Sequence, residues 1–314
     1  MMVLRSMLYV PGNSMRMITK TASLPADAII LDLEDAVPLL DKGTARIMVR
    51  DSIKAIKLGG FHVFVRVNAL TTDLTAEDLK TVVVKGLDGI MLAKTEAKAA
   101  VAELESLIGQ AERAAGLEPG SLVIIPLIES AKGIINTYEI ASASERVVAV
   151  AFGAGDYYRD LGRSVSSLST EEYELLYARS HLANAGRAAG VQAIDTPFLG
   201  LLTDREAFIR QTRLALQLGF KGKQVIHPAQ INFANETFSP AQGEVDYACR
   251  LVEAFAEARD KGLGAISFEG KMIDYMSYQQ ASDLVHFAGI ITEKEAKRQA
   301  VPSTSLFQFF TPST

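Results

Sequence analysis

Leu122-Val-Ile-Ile-Pro-Leu-Ile-Glu-Ser130 is a short apolar run that stops at an acid, and Val147-Val-Ala-Val-Ala-Phe-Gly-Ala-Gly-Asp156 has the same form one unit later. Short runs that are apolar throughout are what strands buried on both faces look like. Working outward from this pair gives eight such runs, at 6–10, 28–33, 62–67, 89–93, 122–128, 147–152, 191–194 and 224–226. Most are spaced close to the roughly 30 residues of a βαβ unit.

The intervening segments 78–85, 96–115, 171–189 and 204–218 carry apolar residues at helical spacing with charges on the opposite face. Thr75-Ala-Glu-Asp78 has the form of a capping box, and Gly116, Gly190 and Gly219 stand where helices should stop. Eight alternating strands and helices predict an α/β fold, a (β/α)8 TIM barrel over residues 1–240. An open doubly wound sheet is the alternative, but no Gly-x-Gly-x-x-Gly follows the first run. From Gly243 the pattern reads as helix without strand, at 245–261, 278–287 and 293–298. Residues 241–314 are therefore expected to form a C-terminal helical extension contacting a neighbouring subunit, with an irregular tail over 301–314.

The 314 residues are 48% hydrophobic and 22% charged, enough to bury a substantial core. A formal net charge of −5 with no basic run argues against a nucleic-acid partner. The single Cys249 excludes an internal disulfide and zinc-cluster spacings, and helix packing is its expected role. Pro11-Gly12 interrupts the N-terminal apolar run too early for a secretory segment, and no run approaches the roughly 18 residues of a membrane span. A cytoplasmic location without membrane attachment is the expectation.

In such a barrel the chemistry sits at the C-terminal ends of the strands. Those ends carry Asp32-Leu-Glu-Asp35, Arg66-Val-Asn68, Lys94, Glu129-Ser130, Gly153-Ala-Gly-Asp156, Asp195-Thr196 and His227-Pro228. Several carboxylates with few histidines favour a hard, oxygen-ligated cation: Mg2+, with Mn2+ as an alternative. Glu129 and Asp156 end successive strands and are the candidate ligands; otherwise each is a helix cap or surface acid. Arg66, by alternation, shares a side with Phe64 and Asn68, and either clamps a substrate carboxylate or pairs with Asp32 or Glu34. Lys94 either neutralises charge or ends its strand in solvent, Gly153-Ala154-Gly155 is a loop whose N–H groups can approach an anion, and His227 is expected to be structural.

These residues fall in motifs that resemble the citrate lyase beta-subunit family and its malyl-CoA, citramalyl-CoA and citryl-CoA lyase relatives in the HpcH/HpaI aldolase superfamily. The resemblance runs from Arg5 to Lys297 through Arg5-Ser-Met-Leu-Tyr-Val-Pro-Gly-Asn13, Ile30-Leu-Asp-Leu-Glu-Asp-Ala-Val37, Val65-Arg-Val-Asn68, Ile125-Pro-Leu-Ile-Glu-Ser130, Phe152-Gly-Ala-Gly-Asp156, Gly222-Lys-Gln-Val-Ile-His-Pro-Ala-Gln-Ile231 and Gly270-Lys-Met-Ile-Asp274. Seven motifs in order make it specific.

The resemblance implies a homo-oligomeric barrel, a trimer or hexamer, that cleaves a short 3-hydroxyacyl thioester to an α-keto acid and an acyl thioester. It implies Mg2+ on Glu129 and Asp156, and the acid's carboxylate on Arg66 beside Ala154 and Gly155. Pro11, Asn13, Lys20, Ile226 and His227 would hold the CoA or acyl-carrier thioester, with Asp274 from a neighbouring subunit moving a proton and Asp32 and Glu34 supporting the centre. Two departures from the pattern bear on selectivity: Gly155, where relatives often carry a bulkier residue, and Tyr157-Tyr-Arg-Asp160 after it. Thioester hydrolysis, a malate-synthase-like condensation, a class II aldolase on free acids and a non-catalytic lyase subunit remain alternatives.

Overall fold

Because β-branched and aromatic side chains crowd a helix but pack well on a pleated surface, the apolar runs form strands. In the computed structural model, which describes residues 2–169, 171–260 and 264–300, these are β1 (Ser6–Pro11), β2 (Ala28–Asp32), β3 (His62–Val67), β4 (Gly89–Leu92), β5 (Val123–Ile128), β6 (Ala149–Phe152), β7 (Gln192–Asp195) and β8 (Gly222–Val225). All pair in parallel with their sequence neighbours, and β8 returns to pair with β1. That closure excludes the open sheet and confirms the TIM barrel.

Helices α1 (Met15–Lys20), α2 (Lys42–Leu58), α3 (Thr75–Val82), α4 (Lys98–Ala114), α5 (Ala131–Ile135), α6 (Thr137–Ala141), α7 (Ala154–Asp160), α8 (Tyr173–Ala188), α9 (Arg205–Leu218) and α10 (Ile231–Thr237) follow the strands. Gly116, Gly190 and Gly219 lie just past α4, α8 and α9 with φ of +65°, +76° and +103°, the left-handed stops expected. Leu8, Val10, Ile29, Leu31, Val63, Val65, Val67 and Val225 join the main core cluster. The residues between them, Tyr9, Asp32, Arg66 and Gln224, therefore point into the barrel.

The capping-box reading of Thr75 to Asp78 does not hold. Thr75 is already inside α3, its hydroxyl donating to the Asn68 and Ala69 carbonyls, while Asp78 accepts from Asn68 and Arg46. Tertiary partners outcompeted the local cap. Asn68, beyond the last residue of β3, likewise escapes the alternation that was to place it beside Arg66: it is held by Lys42, the Leu33 carbonyl and Asp78.

Residues 4–238 make the barrel unit, and 239–300 with the N-terminal residues make a second. The second is not helix alone. It contains α11 (Gln242–Asp260), a hairpin of β9 (Ile266–Phe268) and β10 (Lys271–Ile273), and α12 (Tyr275–Gln299), one continuous helix where two shorter ones were expected. Glu269 and Gly270, at φ +46° and +79°, form the two-residue turn, and the strands are too short to show a period of two. Ala248, Leu251, Phe255, Ile273 and Ala281 form its core. Cys249, partly buried on α11, is a free thiol. The expected tail at 301–314 lies outside the described residues. Among the described residues no helix is long and apolar enough to cross a membrane.

Candidate active site

The register of β2 on β3 sets Asp32 directly beside Arg66. Arg66 donates from Nε to Asp32 Oδ1 at 2.7 Å and from Nη2 to Oδ2 at 2.6 Å, and its Nη1 lies 3.0 Å from Glu34 Oε2. Its guanidinium stands 4.9 Å above the Tyr9 ring, a cation–π contact at the floor of the mouth. A guanidinium has five N–H donors, so these bonds leave one on each Nη among the described residues. Asp32 is itself fixed by the N–H groups of Glu34 and Ala36. Of the two partners anticipated for Arg66, the structure uses both.

Glu34 reaches the other way to Lys94, whose Nζ lies 2.8 Å from Oε1. Lys94 has φ +53°, a left-handed conformation uncommon outside glycine. Its N–H donates to Glu129 Oε1 at 2.6 Å, so the backbone turn at the end of β4 aims the carboxylate at the end of β5. Residue type alone carries no signal of this role. Lys42, at the start of α2, was also missed by the sequence reading: its buried ammonium donates to the Leu33 and Glu34 carbonyls and Asn68 Oδ1 at 2.6–2.7 Å, fixing the loop that carries Glu34. Burial pulls that ammonium below its ordinary pKa.

Glu129 is almost fully buried, and burial pushes its carboxyl up to about 7 against the Lys94 N–H and the Arg66 charge. A Cβ placed on Gly153 would stand 2.7 Å from Glu129 Oε2 and 2.8 Å from its Cβ. Glycine at 153 is thus what lets Glu129 lie against the backbone three residues before Asp156. The segment 153–156 is not a loop: Gly153 caps α7, and Ala154, Gly155 and Asp156 form its first turn. The Ala154 N–H donates to Thr196 Oγ1, Asp156 pairs with Arg159, and Asp160 accepts from the Ala131 N–H at 2.7 Å, tying α7 to the segment after Glu129. Among the described residues no three Asp, Glu, His or Cys side chains cluster as a complete metal cage. Two carboxylates, one buried and in need of a counter-charge, fit a hard ion that keeps waters as its other ligands.

Asp195 takes no part in the mouth. It is wholly buried between Arg179 and Lys223, at 3.0 and 2.6 Å. Pro11 is the last residue of β1, Asn13 follows it and donates to Asp41, and Ile226 and His227 follow β8, so these four stand at the C-terminal ends of two adjacent strands, while Lys20 lies at the far end of α1. His227 Nδ1 accepts from the Ala229 N–H while Gln230 Oε1 accepts from the N–H groups of Ile226 and His227, a turn-capping role. A cavity of about 420 Å³ lined by residues that include Phe198, Phe208, His227 and Phe233 contains none of the mouth acids.

In the second unit, Asp274 caps α12, its Oδ1 accepting from Ser277 N–H and Oγ at 2.8 Å, which holds it below its ordinary pKa. Met272, Tyr275 and Met276 around it are all more than half exposed.

Comparison with known proteins finds similarity over most of the barrel. The profile of the HpcH/HpaI aldolase/citrate lyase family matches residues 5–228. The chain belongs to that family. With membership comes the enzyme class, a carbon–carbon lyase. Among family relatives, citrate lyase subunit beta of Leuconostoc mesenteroides subsp. cremoris is 40% identical over 303 residues, covering 92% of this chain and 98% of the relative. The mitochondrial citramalyl-CoA lyase of Homo sapiens is 34% identical over 300 residues, covering 92% and 87%. A solved structure of the family, the protein CitE from Mycobacterium tuberculosis in complex with magnesium, acetoacetate and coenzyme A, superposes with a TM-score of 0.67 at 29% identity, covering 90% of this chain and 97% of that one.

Proposed function

We propose that the chain is a Mg2+-dependent lyase that cleaves a short 3-hydroxyacyl thioester, of the citryl-, citramalyl- or malyl-CoA type, to an α-keto acid and an acyl thioester. The observation that carries the reading is the mouth itself: Glu129 laid against Gly153 just before Asp156, beside an Arg66 fork with donors to spare. Solved relatives that hold magnesium with acetoacetate and coenzyme A, or magnesium with oxaloacetate, support it.

Glu129 and Asp156 would hold the ion, which when bound supplies Lewis acidity toward the substrate's hydroxyl and carboxylate oxygens. The remaining chemistry falls to side chains and backbone. Arg66, held rigid by Asp32 and Glu34, takes the carboxylate next to the hydroxyl-bearing carbon through its two remaining N–H donors. Ala154 and Gly155, in the first turn of α7, would line the same space, the Ala154 N–H itself being held by Thr196 Oγ1. A base removes the hydroxyl proton, the O–H electron pair becomes the keto C=O, and the pair of the broken C–C bond passes to the thioester's α-carbon, which then takes a proton. Asp274 of a neighbouring copy, held ionised by Ser277, would be the base that accepts the hydroxyl proton and then passes it to the α-carbon, and the exposed Met272, Tyr275 and Met276 form an apolar shelf suited to seating it there. Pro11, Asn13, Lys20, Ile226 and His227 hold the CoA or carrier arm.

Incubating the purified chain and Mg2+ with malyl-, citramalyl- and citryl-CoA, and following keto acid and CoA together, tests the reading. Keto acid with acyl-CoA, lost on chelation and in Glu129→Ala, is expected. Free CoA without keto acid overturns cleavage in favour of hydrolysis, and an Asp274→Ala variant with full turnover removes that residue from the mechanism.

A further inference from the structure

Gly155 differs from the other glycines near the mouth. A Cβ on Gly12 would lie 2.6 Å from the Asp32 carbonyl and on Gly153 2.7 Å from Glu129, so packing demands glycine at both. On Gly155 it would meet only Leu199 Cδ2, at 3.7 Å, an ordinary contact, and Gly155 has no positive φ. Neither backbone nor packing asks for glycine there. Within a helix glycine is less favourable than alanine. What the missing side chain leaves is space in the first turn of α7, beside Asp156 and walled by Leu199 of the segment after β7.

One helical turn on, Arg159 lies on the same face as Gly155, four residues away. Its side chain is 67% exposed, and its single partner among the described residues is Asp156. Beyond its bond to Asp156, most of the five N–H donors of a guanidinium remain open among the described residues.

We propose that Gly155 and Arg159 are specificity-determining residues: Gly155 admits a branch on the hydroxyl-bearing carbon, and Arg159 pairs with a carboxylate at the end of that branch. This rests on the lyase reading above and deepens it. Malyl, citramalyl and citryl thioesters differ at that carbon only in carrying hydrogen, methyl or carboxymethyl. The apolar Leu199 wall accommodates the methylene and the guanidinium the charge, so the chain prefers the carboxymethyl-branched, tricarboxylic acyl group.

The test uses the full chain with Mg2+ and the three CoA thioesters, reading kcat/KM for each. Gly155→Ala and Gly155→Leu are expected to hold or raise Tm while lowering the citryl and citramalyl values relative to malyl, with leucine reaching tenfold or more. Arg159→Gln is expected to lower citryl relative to citramalyl at least tenfold, mainly through KM. Calorimetry with the keto acids alone should show the same ordering without turnover, Arg159→Gln weakening oxaloacetate more than pyruvate. Equal losses on all three thioesters, or ratios that do not move, overturn the proposal and leave the lyase reading standing. Keto acid from none of the three with the unsubstituted chain overturns both.

Discussion

Arg66 and Asp32, side by side in the register of β2 and β3, meet through two parallel hydrogen bonds of 2.7 and 2.6 Å, and Asp32 in turn is gripped by two backbone N–H groups. The guanidinium is therefore oriented before any substrate arrives. Lysine can supply the charge but not the fork. Arg66→Lys is expected to lower kcat/KM about 100-fold, in line with the loss of one preorganised charge-stabilising group, as steady-state kinetics will show. A loss under threefold would mean that charge alone suffices.

Gly153→Ala puts a methyl group where Glu129 now lies. Overpacking at such a contact typically costs about 1–3 kcal/mol, and here the side chain that must yield is a candidate ligand. Calorimetric titration should show Mg2+ or Mn2+ binding weakened by about tenfold or more, since 1.4 kcal/mol is tenfold in affinity. Unchanged binding would detach Glu129 from the ion.

Burial raises Glu129 from the usual 4.5 to about 7. The protonated form is thus favoured in the fold without a bound cation, and the stability it contributes declines as pH climbs from about 4.5 to about 7. Cation binding needs the carboxylate, so apparent Mg2+ affinity should fall up to about tenfold per unit below pH 7. Glu129→Gln should flatten the stability profile across that window in thermal melts; an unchanged profile would assign the dependence to another group.

On α4, the fully buried Glu112 accepts from Arg146 Nη1 and Nη2 at 2.8 and 2.9 Å and from the Leu122 and Gly120 N–H groups. Burial pushes its pKa up, but Arg146 and the two N–H groups outweigh this and hold it at about 2. The stability this group contributes is present above about 4.5 and is lost as pH falls toward 2. Glu112→Gln should cost about 1.5–3 kcal/mol, the range for losing charge-assisted hydrogen bonds, because Arg146 keeps Glu105 and the Leu122 carbonyl as partners. Denaturant melts at pH 7 and pH 3 measure both, and the variant's deficit should shrink at the lower pH.

The barrel and the acids at its mouth were legible in the sequence because two rules suffice: apolar runs at regular spacing become buried strands, and polar residues at their C-terminal ends converge. Asp32, Glu34, Arg66 and Glu129 follow from these, whereas the Asp156 carboxylate, in the first turn of α7, is tied to Arg159. Asp195 obeyed the same rule yet turned away, because Arg179 on the preceding α8 and Lys223 on the next strand β8 supply its charge partners inside the wall. The Lys94 contribution depends on a backbone angle rather than a residue type, and that of Lys42 on a loop it reaches from a helix start. Thr75 and Asp78 misled because a capping pattern is local, whereas the partners they found were brought by folding. The β9–β10 hairpin was hidden by strands of three residues, too few for any period to show.

Closure of the sheet deals each functional group to a different strand end. The Arg66 fork is held on β2 and β3, the Glu129 cradle joins β5 to Gly153, and the residues assigned here to the acyl branch stand in the first turns of α7. A change of one small side chain on α7 leaves the other two assemblies standing. Chemistry and diet can therefore evolve separately: a lineage can exchange one acyl group for another by single viable steps, without passing through a protein that has lost the power to break the bond.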